Sequence, residues 1–351
     1  MHKDLFSEIL KRVSRTFYLS LNVVPKDLRR QKGLGRWTAF GILVSLALSL
    51  SASALAGSLG EWKTAAPMPD KRTEVAAAEL GGKIYVIGGF GYFFLGGVSN
   101  AVQAYDPITD QWEKKASLVQ PLHHTAVAAV EGKLYVVGGY ARIWPWKAIN
   151  TLWEYDPAQD RWQRKAPMPT ARGALAVGVL RGKIYAVGGK AGSEVLRTLE
   201  VYDPATDTWQ SLLPMPTPRD HLAVAAVDGR LYAIGGRQGA MSRNVAVNEV
   251  YDPHTNQWTG RTLMPTARSG ITAAVVGSRF YVFGGEEPKQ TFAHTEAYHP
   301  QTDRWVTLNP MPTARHGLGA ASWSGRIYVL GGGPEPGGSR SNVNEVFTPP
   351  G

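Results

Sequence analysis

The sequence predicts an all-β protein of six four-stranded units closed into a ring. Two observations carry this. First, a diglycine recurs at Gly88-Gly89, Gly138-Gly139, Gly188-Gly189, Gly235-Gly236, Gly284-Gly285 and Gly331-Gly332. Successive first glycines are 50, 50, 47, 49 and 47 residues apart, and a fixed period of this length marks a repeat architecture. Second, the register inside the repeat is rigid. A tryptophan stands 26 residues before each diglycine: Trp62, Trp112, Trp162, Trp209, Trp258 and Trp305. Five of these follow a tyrosine by 7 residues: Tyr105, Tyr155, Tyr202, Tyr251 and Tyr298. All length variation therefore falls between the diglycine and this tyrosine, at 17, 17, 14, 16, 14 and 16 residues, with Phe347 replacing the last tyrosine. A frame that tolerates no slip reads as packed strands. The one segment that slips reads as a surface loop, where binding residues collect.

The elements of one unit follow in order. ALAVGVL (residues 174–180) is apolar and small, so several such strands can crowd around an axis. RGK is a tight turn carrying a glycine. KIYAVGG alternates as a second strand, and LEVYDP is a third. YDPATDTW turns into the fourth through Pro, Asp and Thr. One such unit cannot bury its own faces, but repeats stacked around a ring can. The fixed Trp and Tyr residues are read as packing between units, each burying a large area. Five of the seven methionines sit in PMP or LMP (Met68, Met168, Met215, Met264, Met311) and read as gap-fillers.

The Gly-Gly, Tyr and Trp spacing resembles the kelch repeat of β-propellers, from about Leu59 to Pro350. The resemblance implies six blades of four antiparallel strands around a central channel. The last unit stops at EVFTPPG after its third strand, and the first is preceded by an orphan fourth strand, GEWKT, containing Trp62. The count balances when the strand around Trp62 completes blade six, leaving no open edge.

The chain divides into a basic segment, 1–36, an apolar segment, 37–56, and the repeat domain, 57–351. Of the formal charge of +10, the first 60 residues hold +6, nine Lys/Arg against three Asp/Glu. The remaining +4 makes no case for nucleic acid. Zero Cys excludes disulfides, thiolate metal sites and a cysteine nucleophile. Residues 37–56 read WTAFGILVSLALSLSASALA, an apolar core ending in Ala54-Leu55-Ala56, a small-x-small cleavage site before Gly57. The alternative is an uncleaved anchor, the one expected membrane contact. Both place the repeats outside the cytoplasm, periplasmic or secreted. Residues 6–30 resemble the opening helix of squalene/phytoene synthases, but the aspartate-rich motifs of those enzymes do not follow, so no activity is implied. The segment reads as a misplaced start or a fusion remnant.

Counting from each tryptophan locates residues that could carry chemistry. Ten residues on stand Arg72, Arg172, Arg219, Arg268 and Arg315, with Leu122 in the second unit. Such arginines either brace carbonyls between blades or hold an acidic ligand. Twelve residues on stand Glu74, His124, Ala174, His221, Gly270 and Gly317, which vary as ligand-facing positions would. His123 and His124 are adjacent. On an extended strand they would face opposite ways, which speaks against a shared metal; no metal and no cofactor are expected. Directly after the diglycines come Phe90, Tyr140, Lys190, Arg237, Glu286 and Gly333. These are expected to fringe one mouth of the channel, one side aromatic and the other charged. Tyr92, Phe93, Phe94, Trp144 and Trp146 extend the aromatic side, and a cluster of this kind suggests an interaction patch.

Three function classes remain. One is a binding module for a protein or glycan, with Phe90, Tyr140, Trp144, Trp146, Lys190, Arg237 and Glu286 as ligand-binding residues. The second is a sugar mutarotase similar to the periplasmic N-acetylneuraminate epimerases, which are secreted six-bladed kelch proteins. There Glu286, His124 or His221 would supply acid–base catalysis and Arg237 a carboxylate clamp. The third, a galactose-oxidase-like copper enzyme, needs a Cys–Tyr crosslink and is excluded in its usual form.

Overall fold

The computed structural model describes residues 59–91, 97–142 and 145–351. The expectations for residues 1–36 and 37–56 lie outside the described residues, as do Tyr92, Phe93, Phe94 and Trp144. Among the described residues the strands form six four-stranded antiparallel sheets and two two-residue hairpins. The sheets are blades. Each begins on an inner strand: Ala76–Leu80, Ala126–Val130, Ala176–Leu180, Ala223–Val227, Thr272–Val276 and Gly319–Trp323. In five sheets the next three strands follow outward in chain order, and in the sixth the outermost is Glu61–Thr64 from the start of the described domain; the fold is a six-bladed β-propeller.

The small inner residues serve the purpose the sequence suggests. Ala77, Ala126, Ala176, Ala223, Ala273 and Ala320 line the channel. At Gly319 even a methyl group would stand 2.6 Å from the Ala77 Cβ, so crowding at the axis dictates the side-chain size. Inner and second strands are joined by tight turns such as Glu131-Gly132, with φ of 48° and 77°. Two successive left-handed residues match the twist of a two-residue hairpin.

Three sets of bonds tie each blade to the next. The second glycine of every diglycine donates its N–H to the following blade, as Gly89 does to the Leu122 carbonyl at 2.8 Å and Gly332 to Arg72 at 2.8 Å. A Cβ on Gly88 would lie 2.4 Å from that Leu122 oxygen, which is why the position takes glycine. Each outer-strand tryptophan donates its indole N–H to a carbonyl at the end of the preceding blade's outer strand, as Trp162 does to Ala116 at 2.8 Å. The tyrosine hydroxyls donate to the turn residue five positions on, as Tyr202 does to Asp207 at 2.6 Å. The same carboxylate oxygen accepts the Ala166 N–H at 2.9 Å. One Asp therefore fixes its own turn and the neighbouring blade.

Blade six closes as expected. Glu61–Thr64 pairs antiparallel with Asn344–Thr348, placing Trp62 opposite Phe347. The Trp62 ring lies 4.9 Å from Phe347 and 5.7 Å from Phe283, and its N–H donates to the Asn309 carbonyl at 2.9 Å.

The five arginines ten residues past each tryptophan are braces, fully buried. Arg219 donates to the Gly235 and Val247 carbonyls at 3.0 Å and to Glu249 at 2.7 Å. Arg172 pairs with Glu200, Arg268 with Glu296 and Arg315 with Glu345. The Thr of each PTxR stretch donates to the other carboxylate oxygen, as Thr217 does to Glu249 at 2.7 Å. Burial pushes the Arg219 guanidinium down to about 10 against the pull of Glu249, so it stays charged at neutral pH. Blade two has Leu122 in place of the arginine and Trp153 in place of the glutamate, and both join an apolar cluster. The ion pair is replaced there as a pair.

Candidate functional site

At one mouth of the channel the chain passes the axis six times in the same conformation. Glu74, His124, Ala174 and His221 have φ between 51° and 53°, and Gly270 and Gly317 are also left-handed. Their backbones bond to one another around the ring. His124 N–H reaches Glu74 O, Ala174 reaches His124, His221 reaches Ala174, Gly270 reaches His221 and Gly317 reaches Gly270, at 2.9–3.3 Å. Val75 N–H closes the circle on Gly317 O at 3.3 Å. These six residues, each with the one that follows it, enclose about 80 Å³.

The left-handed turn corrects the reading of His123 and His124. The inner strand starts only at Ala126, so side-chain alternation does not yet apply. The two rings meet, with Nδ1 atoms 2.6 Å apart. His124 Nε2 lies 3.2 Å from Glu74 Oε2, and its ring centroid is 4.9 Å from that of His221. One donor atom from each of Glu74, His124 and His221 falls within 4.8 Å of the others.

A second layer surrounds this group. His316 Nδ1 stands 3.3 Å from Glu74 Oε1 and 3.5 Å from Glu286 Oε2. Arg237 reaches Glu286 at 2.9 Å, Asp220 at 3.3 Å and His221 Nε2 at 2.8 Å. Asp220 Oδ1 is 3.0 Å from His221 Nδ1. Burial pushes His124 well below its ordinary value, more than Glu74 raises it, so it is neutral at pH 7. Burial also lowers the His316 imidazole, but its hydrogen bond to Glu74 and the Glu74 and Glu286 charges outweigh this and raise it. Burial opposes ionisation of Glu74, yet the neighbouring histidines hold its carboxyl well below the usual range.

The aromatic expectation divides. Phe90 and Tyr140 sit in blades one and two as predicted, but both are buried, at 8% and 1% exposure. They wall the histidines: Phe90 lies 4.1 Å from His123 and Tyr140 lies 5.3 Å from it. Trp146 covers them, 5.0 Å from Tyr140 and 4.8 Å from His124, and remains 40% exposed. On the charged side, Lys190 is half-buried and its carbonyl accepts the Tyr140 hydroxyl at 3.0 Å. Glu286 is buried and Arg237 is nearly so.

The structure thus unites Glu74, His124, His221, Arg237 and Glu286 and adds His123, Asp220 and His316. The added residues carried a signal. Eleven residues past each tryptophan the sequence reads Thr73, His123, Gly173, Asp220, Ser269 and His316. That column bridges to the residues after the diglycines, as in His123 with Tyr140 and Asp220 with Arg237.

The KLHDC2/KLHL20/DRC7 Kelch-repeats domain family matches residues 221–348. The Kelch motif family matches residues 71–119, 121–169 and 171–216. The solved structure of YjhT is similar in fold, with a TM-score of 0.69, 16% identity, and coverage of 79% of this chain and 95% of that one. No curated protein sequence matches the chain.

Proposed function

The chain belongs to the kelch-repeat β-propellers, and on that premise we propose that it is an exported binding module. It takes a protein or glycan on the face bearing the loops after the diglycines. The observation that carries this is Trp146, 40% exposed above a buried floor of Phe90, His123, His124 and Tyr140. An indole on a rigid base loses little freedom on contact and suits a binding hot spot. The opposite face offers short, nearly uniform turns. The cavity within the ring holds about 80 Å³, below the roughly 300–1,000 Å³ of small-molecule pockets, while a hollow of about 450 Å³ lies between Asp70, Ser99 and Arg340. Export rests on the apolar stretch and the Ala54-Leu55-Ala56 site, and intact-mass analysis of exported material should give a chain beginning at Gly57.

The test of binding is Trp144→Ala combined with Trp146→Ala, screened on glycan and peptide arrays. The expected outcome is lost binding with a melting temperature within a few degrees of wild type. A stable double variant that binds normally moves the site to Lys190, Arg237 and Glu286. A second reading, a sugar mutarotase, is favoured by one observation: a buried carboxylate, two imidazoles and a guanidinium within hydrogen-bond reach at the same mouth. Catalysed anomerisation of reducing or acidic sugars, followed by NMR, would select it.

A further inference from the structure

We propose that Glu74, His124 and His221 form a binding site for a divalent transition-metal ion at the channel mouth. The argument is one of lone pairs. His123 Nε2 faces the Arg142 carbonyl at 3.1 Å. A carbonyl only accepts, so this nitrogen carries the proton. His123 is fully buried between the rings of Phe90 and Tyr140, where a second proton would place a charge among apolar walls. Its Nδ1 is therefore bare and accepts from His124 Nδ1 at 2.6 Å. That places a His124 proton on Nδ1, and in the neutral ring Nε2 is then bare, 3.2 Å from Glu74 Oε2. Two acceptors then face each other with no hydrogen between them, an arrangement that a shared cation resolves.

His221 is set the same way. Its Nδ1 donates to Asp220 Oδ1 at 3.0 Å, leaving Nε2 bare. Two imidazole lone pairs and one carboxylate thus converge within 4.8 Å. This two-nitrogen, one-oxygen donor set suits divalent zinc, iron, manganese or cobalt and leaves open positions. Each ligand also has an outer partner that fixes its orientation: His123 for His124, Asp220 for His221 and His316 for Glu74. Such partners are the usual second half of a metal site. The roughly 80 Å³ inside the ring holds an ion with a few waters, each occupying about 30 Å³. Arg237 Nη2 now occupies the His221 lone pair at 2.8 Å. It must leave when the ion binds, keeping Asp220 and Glu286 as partners.

The test uses tag-free full-length protein, stripped with a chelator and titrated with Zn²⁺ and with Co²⁺. One ion per chain is expected, with visible Co²⁺ bands of a nitrogen–oxygen site. Glu74→Gln, His124→Gln and His221→Gln should each weaken binding 100-fold or more, and Asp220→Asn about 10–100-fold. His254→Gln, an exposed imidazole in a turn between outer strands, should change nothing. Arg237→Gln removes the competitor and should tighten binding, an effect that a purely structural role would not produce. Binding that is not stoichiometric overturns the proposal. So does binding undiminished in folded His124→Gln and His221→Gln. If the ligand variants do not fold, an Arg237→Gln protein that binds no more tightly than wild type overturns it.

Discussion

Glu249 shows how one side chain governs local stability. It accepts from Arg219 at 2.7 Å and from Thr217 at 2.7 Å in a site closed to water. Glu249→Ala would leave the Arg219 charge unpaired, at a cost of about 3–5 kcal/mol. The second blade supplies the compensating change. Arg219→Leu combined with Glu249→Trp copies the Leu122 and Trp153 arrangement, and urea unfolding should show the double variant more stable than either single one. Additive losses would refute the idea that the pair is exchanged as a unit. The arginines were legible in the sequence from their constant offset past the tryptophan. Their glutamates stand equally regularly, two residues before the fixed tyrosine as in Glu200 and Glu249, but the variable loop between the two frames shifts the separation from 28 in Arg172–Glu200 to 30 in Arg219–Glu249 and hid the pairing.

Strands and turns show the next level. The closing strand was readable because the last unit lacks a fourth strand and the first has one in excess. Removing Glu61–Thr64 should expose Asn344–Thr348 as an unpaired edge and produce association, visible by light scattering. Trp62 is only partly buried, so Trp62→Ala should cost about 3 kcal/mol, the low end for this change. A monomeric deletion variant with unchanged unfolding would contradict the shared blade. The turns carry a pH response. The hydrogen bond from Tyr155, with that from the Ala116 N–H, holds the Asp160 carboxyl below its ordinary value of 3.8. Asp207 and Asp303 are lowered too, by Tyr202 and Tyr298 against the opposing effect of burial. A depressed carboxyl contributes stability that is complete above its unfolded value and lost as the pH falls through its folded one. Unfolding should therefore steepen below about pH 4, and Tyr155→Phe should flatten that fall.

Across the whole molecule, periodicity revealed the number of blades, the closure and the face that carries the variable loops. It did not reveal which side chains meet over the channel. Glu74 and His221 lie three blades apart in sequence, and the ring brings them together. Alternation reasoning failed at His123 and His124 because the backbone there is a left-handed turn ahead of the strand. Burial of Phe90 and Tyr140 also went unseen, since the sequence places residues at a mouth without saying how far they fold inward.

The circle of backbone bonds through Glu74, His124, Ala174, His221, Gly270 and Gly317 involves no side-chain atom. It frames six positions of one backbone conformation, of which Gly317 has no room for a side chain, since a Cβ there would stand 2.5 Å from Glu74 Oε1. Ala174 already holds φ at 52° without being glycine, so a larger residue there adds no new backbone strain. Ala174→His should therefore keep the melting temperature within a few degrees and place a third imidazole beside His124 and His221, read as tighter Co²⁺ binding. At the positions that already hold a side chain, a propeller of this design can change its chemistry one residue at a time while the ring of backbone bonds stays the same.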